Sequence, residues 1–139
     1  MIPIPALVLF VVFLALACLH VFWAFSGRLG WRGVIPTADG APVIQPGIGV
    51  TLLVAALLFA AAVVSLWRGA WPDAGPSWVP RSGIWVVATI FAARAVGDFR
   101  YVGFFKKVRH TAFARNDTLI FSPLCAAISM LSLWLAVFY

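Results

Sequence analysis

The sequence predicts an all-α integral membrane protein, a single domain built as a bundle of four transmembrane helices. Of its 139 residues, 64% are hydrophobic and only 10% are charged, whereas a soluble domain carries about 25% charged residues. The apolar residues also gather into four segments, each long enough to cross a bilayer. The expected spans are residues 5–25, 47–67, 83–102 and 118–139.

The first two spans are the plainest. No Lys or Arg precedes the first span, and its apolar run of about twenty residues is longer than that of a secretory signal peptide, so we expect a retained helix. Prolines then interrupt the chain at Pro36, Pro42 and Pro46, which indicates a loop. The second span contains no charged residue before its end.

The third span carries charge inside an otherwise apolar segment. Arg94 and Asp98 are four residues apart, so a continuous helix would place them on one face as an ion pair. The fourth span has two predicted starts, Asp117 or Ser122, because Ser at the N-cap followed by Pro123 at the first helical position is a good start signal. If the span begins near Asp117 instead, the longer helix is kinked at Pro123.

Basic residues predict the orientation. With four spans, the first and third loops share a side, and the loop between spans two and three holds only Arg68 and Arg81. The positive-inside rule therefore places the first and third loops in the cytoplasm and both termini on the non-cytoplasmic side. The basic residues of the first and third loops are Arg28, Arg32, Arg100, Lys106, Lys107, Arg109 and Arg115.

The net charge of +6 belongs to residues that flank apolar spans, which favours membrane lipids over nucleic acid as the partner. Anionic headgroups on the cytoplasmic side are the expected contacts of the third-loop cations. These cations are Arg100, Lys106, Lys107, Arg109 and Arg115, which we assign to headgroup binding or topology.

Polar residues from several spans are predicted to meet in one layer. At about 1.5 Å per residue, Arg94 lies ~15 Å into its span, and Asp98 and His20 each lie ~21 Å into theirs. Charges at such depth are unfavourable unless they are paired or functional. The candidate intramembrane site, in the cytoplasmic half, consists of His20, Arg94, Asp98, Tyr101, Asp117 and Ser122.

Two interpretations of this layer fit the sequence. Arg94 and Asp98 form a structural ion pair, or Arg94 orients an anionic or carbonyl group while Asp98 acts as a base and His20 exchanges protons. For Asp117, capping of the fourth helix is the expected role. No metal or cofactor is expected, because Cys18, His20, His110 and Cys125 lack a ligand spacing.

Two stretches give the sequence a resemblance to a known family. The string RAVGDFRYVGFFKKVRHTAFARNDT, from Arg94 to Thr118, is followed by SPLC, and LHVFWAFSG stands at Leu19 to Gly27. Together they resemble the bacterial family called domain of unknown function 3995. The resemblance implies a small four-span protein of the bacterial inner membrane, and it transfers no reaction. Its motifs match His20, Trp23, Arg94, Gly97, Asp98, Tyr101, Gly103, Lys106, Thr111, Asp117 and Pro123.

Three functions of different classes fit these features. The first is a site that binds a lipid or another hydrophobic small molecule, with acid–base chemistry as its extension. The alternative is an accessory or structural subunit of a larger membrane complex, in which the partner is a membrane protein or a second copy. The third is a small oligomeric transporter, which ranks lowest because such transporters use a membrane-embedded glutamate and the chain has none.

Overall fold

The computed structural model describes residues 2–26, 33–71 and 73–139. Arg28 and Arg32, which entered the orientation argument, lie outside these ranges. The described chain is mostly helical, and four of its helices are long and apolar enough to cross a membrane, which confirms the predicted fold class. They are α1 (Ile4–Phe25), α2 (Ile48–Ala70), α3 (Trp78–Val96) and α4 (Ala112–Phe138).

The loop between α1 and α2 contains the one hairpin of the described residues. Strands β1 (Thr37–Ala38) and β2 (Ala41–Pro42) pair antiparallel. Asp39 and Gly40 between them have φ values of 50° and 79°, the left-handed conformation that a two-residue turn requires.

Successive helices run antiparallel, and small residues allow their close approach. Gly69, near the end of α2, lies against Pro3 and Ala6 at the start of α1, where a Cβ atom would collide with Ala6. Gly83, near the start of α3, lies against Val64 of α2. Both contacts join the same end of the bundle, as an up-down-up-down arrangement requires.

The helices form two main pairs, because α1 packs chiefly against α2 and α3 chiefly against α4. The core between the pairs is apolar and includes Leu9, Phe13, Ile84, Ile128 and Leu135. Large apolar side chains also cover the outside of the bundle, as expected where the surrounding solvent is lipid.

The third helix ends earlier than predicted. It spans Trp78–Val96, whereas the sequence predicted residues 83–102. Gly97 ends it with a φ of +89°, a conformation that is readily adopted only by glycine. Asp98 and Tyr101 therefore lie in the following loop and not on the helix.

The fourth helix begins before both predicted starts. Thr111 is its N-cap, and its hydroxyl accepts a hydrogen bond from the Ala114 N–H at 3.0 Å. Neither Asp117 nor Ser122 starts the helix, so both predicted starts are wrong. Pro123 has no N–H to donate to the preceding turn, and the turn before it, Asp117–Phe121, is π-helical.

Candidate functional site

Asp117 is the centre of a cluster of polar groups that we name the Asp117 cluster. Its carboxylate is fully buried. Oδ1 accepts a hydrogen bond from Arg94 Nη2 at 2.9 Å. Oδ2 accepts from the Gly103 N–H at 2.8 Å, Lys106 Nζ at 2.9 Å and Ser122 Oγ at 3.1 Å. Four donors, two of them cationic, offset the desolvation of this charge, so Asp117 is the anchor of the site and not a helix cap.

The π-helical turn explains why Ser122 reaches Asp117. In a π-helix the hydrogen bonds run from residue i+5 to residue i, and the Ser122 N–H donates to the Asp117 carbonyl in this way. The wider turn places the two side chains on the same side of α4. Ser122, which the depth argument placed in the same layer, therefore lies in the cluster.

Lys106 belongs to the cluster and not to the membrane surface. It is only 2% exposed, and besides Asp117 its Nζ donates to the Gly103 carbonyl at 2.9 Å and to Thr118 Oγ1 at 2.7 Å. All three donors of the ammonium group are used. Headgroup contact, predicted for Lys106, is thus wrong. The side chains of Arg100, Lys107, Arg109 and Arg115 are exposed, and for them headgroup contact stays a prediction.

The conformation of Gly97 and Gly103 brings the Gly103 N–H and Lys106 close to Asp117. Gly97 and Gly103 have φ values of +89° and +90°. Their backbones cross so closely that a Cβ atom at Gly97 would collide with Val102, and one at Gly103 would collide with Val96. The Phe104 N–H then donates to the Ala95 carbonyl at 2.8 Å. The loop is thereby folded back against the end of α3.

Asp98 stabilises this loop and does not pair with Arg94. The side chain is exposed, and its Oδ1 accepts hydrogen bonds of 2.7–2.9 Å from the N–H groups of Arg100, Tyr101 and Val102. Burial raises the pKa of Asp98, but these backbone donors outweigh it, so the net pKa is lowered. The predicted Arg94–Asp98 ion pair is wrong, because α3 ends before Asp98 and Arg94 pairs with Asp117 instead.

His20 and Tyr101 lie outside the Asp117 cluster. His20 Nδ1 is 2.7 Å from the Leu16 carbonyl, and its ring packs edge-on against Trp23. The Tyr101 ring lies under the Arg100 guanidinium at 5.1 Å. No hydrogen bond joins His20 to Asp98, whose Oδ1 accepts from the loop backbone.

An apolar cavity of about 460 Å³ lies beside the cluster, between the two helix pairs. Its volume falls within the range of small-molecule sites. Arg94 and His20 are its strongly polar lining residues, and Cys125 contributes a thiol. The other lining residues are Leu16, Leu19, Trp23, Val34, Val54, Leu58, Phe91, Ile120, Phe121, Leu124 and Ile128.

Arg94 connects the cluster to the cavity. Its Nη2 binds Asp117, while its Nη1 is buried without a hydrogen-bond partner among the described residues. Its side chain is 33% exposed, whereas the side chains of Asp117 and Lys106 are almost completely buried. Since Arg94 and Lys106 share a single buried carboxylate, the cluster carries one positive charge in excess.

Sequence reasoning identified Arg94, Asp117 and Ser122 but assigned Asp117 a different role. It missed Gly103 and Lys106 as partners, because two adjacent lysines in a basic loop look alike in composition. One signal did separate them: the resemblance described above includes Gly103 and Lys106 among its matching positions and does not include Lys107.

Comparison with known proteins gives a family and no activity. No curated protein and no solved structure is significantly similar to the chain. The sequence profile of one family matches residues 13–132, a range that contains every residue of the Asp117 cluster and of the cavity lining. The chain therefore belongs to the family described as protein of unknown function, DUF3995.

Proposed function

We propose that this protein binds a lipid or another hydrophobic small molecule inside its helix bundle. The observation that carries the proposal is the apolar cavity of about 460 Å³, which is lined by residues from all four helices. Such a space between helices of a bundle is a common location for ligand sites. A few polar groups in an apolar wall fix a ligand's orientation, and here these are Arg94 and His20.

The ligand would enter from the surrounding bilayer. Leu19 and Ile120 line the cavity and are also 38% and 55% exposed, so the cavity reaches the outer surface of the bundle between α1 and α4. A hydrophobic molecule dissolved in the membrane would then reach the site without crossing water. Under the orientation inferred from the basic loops, it would come from the cytoplasmic leaflet of the bacterial inner membrane.

Acid–base chemistry on the ligand would fall to His20. Asp98, the base that the sequence suggested, is not among the residues lining the cavity. Because a carbonyl oxygen only accepts, His20 Nδ1 must carry the proton that binds Leu16. Nε2 is then an acceptor in the neutral ring and is the atom able to take a proton.

The experiment compares hydrophobic molecules that co-purify with the wild type and with two tryptophan variants of the same helix. Leu124 lines the cavity, so Leu124→Trp adds bulk inside it. Leu133 lies on the exposed face of α4, so Leu133→Trp adds the same bulk outside the cavity and serves as the matched control. After a mild-detergent wash, mass spectrometry should find about one retained molecule per chain in wild type and in Leu133→Trp, and half or less in Leu124→Trp. Equal retention by both variants would contradict the proposal.

A further inference from the structure

We infer that the ligand is an amphiphile that places one apolar chain in the cavity and carries an anionic head, a carboxylate or a phosphate. This inference rests on the proposed function and names the chemical class of the ligand for the same cavity. Three features of the described residues support it: the excess charge of the Asp117 cluster, the unpaired nitrogen of Arg94 and the size of the cavity.

The charge of the site favours an anion. Arg94 and Lys106 both bind the single carboxylate of Asp117, so one positive charge is left without a counterion in the cluster. No carboxylate lines the cavity among the described residues. In a low-dielectric environment an anion beside Arg94 would be stabilised, and a cation would meet repulsion without any compensating partner.

Arg94 has a free donor for that anion. A guanidinium group holds five N–H donors in a rigid fork that suits carboxylate and phosphate oxygens. Nη2 is occupied by Asp117 at 2.9 Å, whereas Nη1 is buried without a partner in the described part of the chain. A buried donor without an acceptor is unfavourable, and an anionic head would supply the acceptor.

The cavity has room for one apolar chain. At about 30 Å³ for a group the size of a water molecule, 460 Å³ accommodates on the order of 15 such groups. This matches a single acyl or isoprenoid chain inside the bundle. A neighbouring cavity of about 200 Å³ shares His20, Trp23, Val34 and Val54 with the first, which extends the room by a few groups.

The chain's two cysteines provide a direct reporter of occupancy. Cys125 lines the cavity, whereas Cys18 is exposed on α1. In a Cys18→Ala protein in neutral-lipid nanodiscs, the rate at which N-ethylmaleimide modifies Cys125 is followed by intact-mass spectrometry. A Cys125→Ala protein, labelled at Cys18, controls for effects of the added amphiphile on the reagent.

The probes share a sixteen-carbon chain and differ in the head: hexadecanoate, hexadecyl phosphate, hexadecanol and hexadecylammonium. The inference expects the two anions to protect Cys125 at concentrations at least tenfold lower than the alcohol, and the ammonium to protect least. Comparing the two anions identifies the preferred head. Arg94→Gln should abolish the preference for anions, and Arg94→Lys should retain part of it by keeping the charge.

The outcomes separate the two proposals. If the alcohol or the ammonium protects as well as the anions do, the anionic head is refuted while the hydrophobic site stands. If no probe slows the labelling of Cys125, the hydrophobic site itself is refuted. Both comparisons are made on a protein with Arg94 intact, so they hold even if the Arg94 variants fail to fold.

Discussion

Replacing Lys106 by methionine tests whether the Asp117 cluster holds the bundle together. Methionine fills a similar volume, so the change removes the charge and leaves little cavity. Three hydrogen bonds of 2.7–2.9 Å disappear, to Gly103, Asp117 and Thr118. Hydrogen bonds that involve a charged group contribute about 1.5–3 kcal/mol each, but bonds of one group are not additive. Arg94 still neutralises Asp117 in this variant, so the loss stays below the about 3–5 kcal/mol of an uncompensated buried charge, and we expect Lys106→Met to destabilise by about 1.5–3 kcal/mol.

The adjacent residue supplies the control. Lys107 is exposed whereas Lys106 is 2% exposed, so Lys107→Met removes the same charge from the same loop without touching the cluster. The free energy of unfolding is measured by titration with sodium dodecyl sulfate in mixed micelles, with tryptophan fluorescence as the signal. Lys107→Met should be indistinguishable from wild type. If the two variants unfold within about 1 kcal/mol of each other, the assignment of Lys106 to a buried structural cluster is refuted.

Three further predictions concern the loop after α3 and the orientation. Gly97→Ala should destabilise by about 1–3 kcal/mol from backbone strain alone, since Gly97 has a φ of +89° and a Cβ atom would meet the Val102 carbonyl. Gly49→Ala, at an open position inside α2, should not destabilise, because alanine is a better helix former than glycine; equal unfolding free energies of the two variants would contradict this. Because the pKa of Asp98 is lowered in the folded protein, the ionised side chain stabilises the fold fully above its unfolded pKa of about 3.9, and this stabilisation is lost as the pH falls through the lower folded pKa. In Asp98→Asn, the free energy of unfolding should therefore fall less steeply at acidic pH, and a decline as steep as in the wild type would refute this. Alkaline phosphatase fused after Tyr139 should be active and a green fluorescent protein fused there dark, if the C-terminus is non-cytoplasmic; a bright fusion would reverse the orientation.

The boundaries of the helices show where local sequence signals compete. Ser122-Pro123 is a good local start signal, yet Thr111 caps the helix earlier, and the chain passes through the π-helical turn Asp117–Phe121 and continues as an α-helix past Pro123. The spacing of Arg94 and Asp98 predicts an ion pair only on a helix that continues past Gly97. A glycine in the left-handed conformation ended it, and the partner of Arg94 came from another helix.

What the sequence by itself determined is the class of protein and the presence of buried charge. Hydropathy and length suffice for the four spans, because a helix must satisfy its own backbone and cover about 30 Å of hydrocarbon with apolar side chains. The same reasoning shows that Arg94 and Asp117, once inside or next to a span, require partners. The identity of those partners is not a local property of the chain.

The tertiary structure decided which charges meet. Lys106 and Lys107 are equivalent in composition, and the crossing of Gly97 over Gly103 directs one to Asp117 and leaves the other exposed. Arg94 likewise gains its partner from residue 117, far along the chain, through the packing of α3 on α4. The cavity exists because the two helix pairs, α1 with α2 and α3 with α4, pack more tightly within each pair than between pairs, a consequence of long-range packing that no sequence window contains.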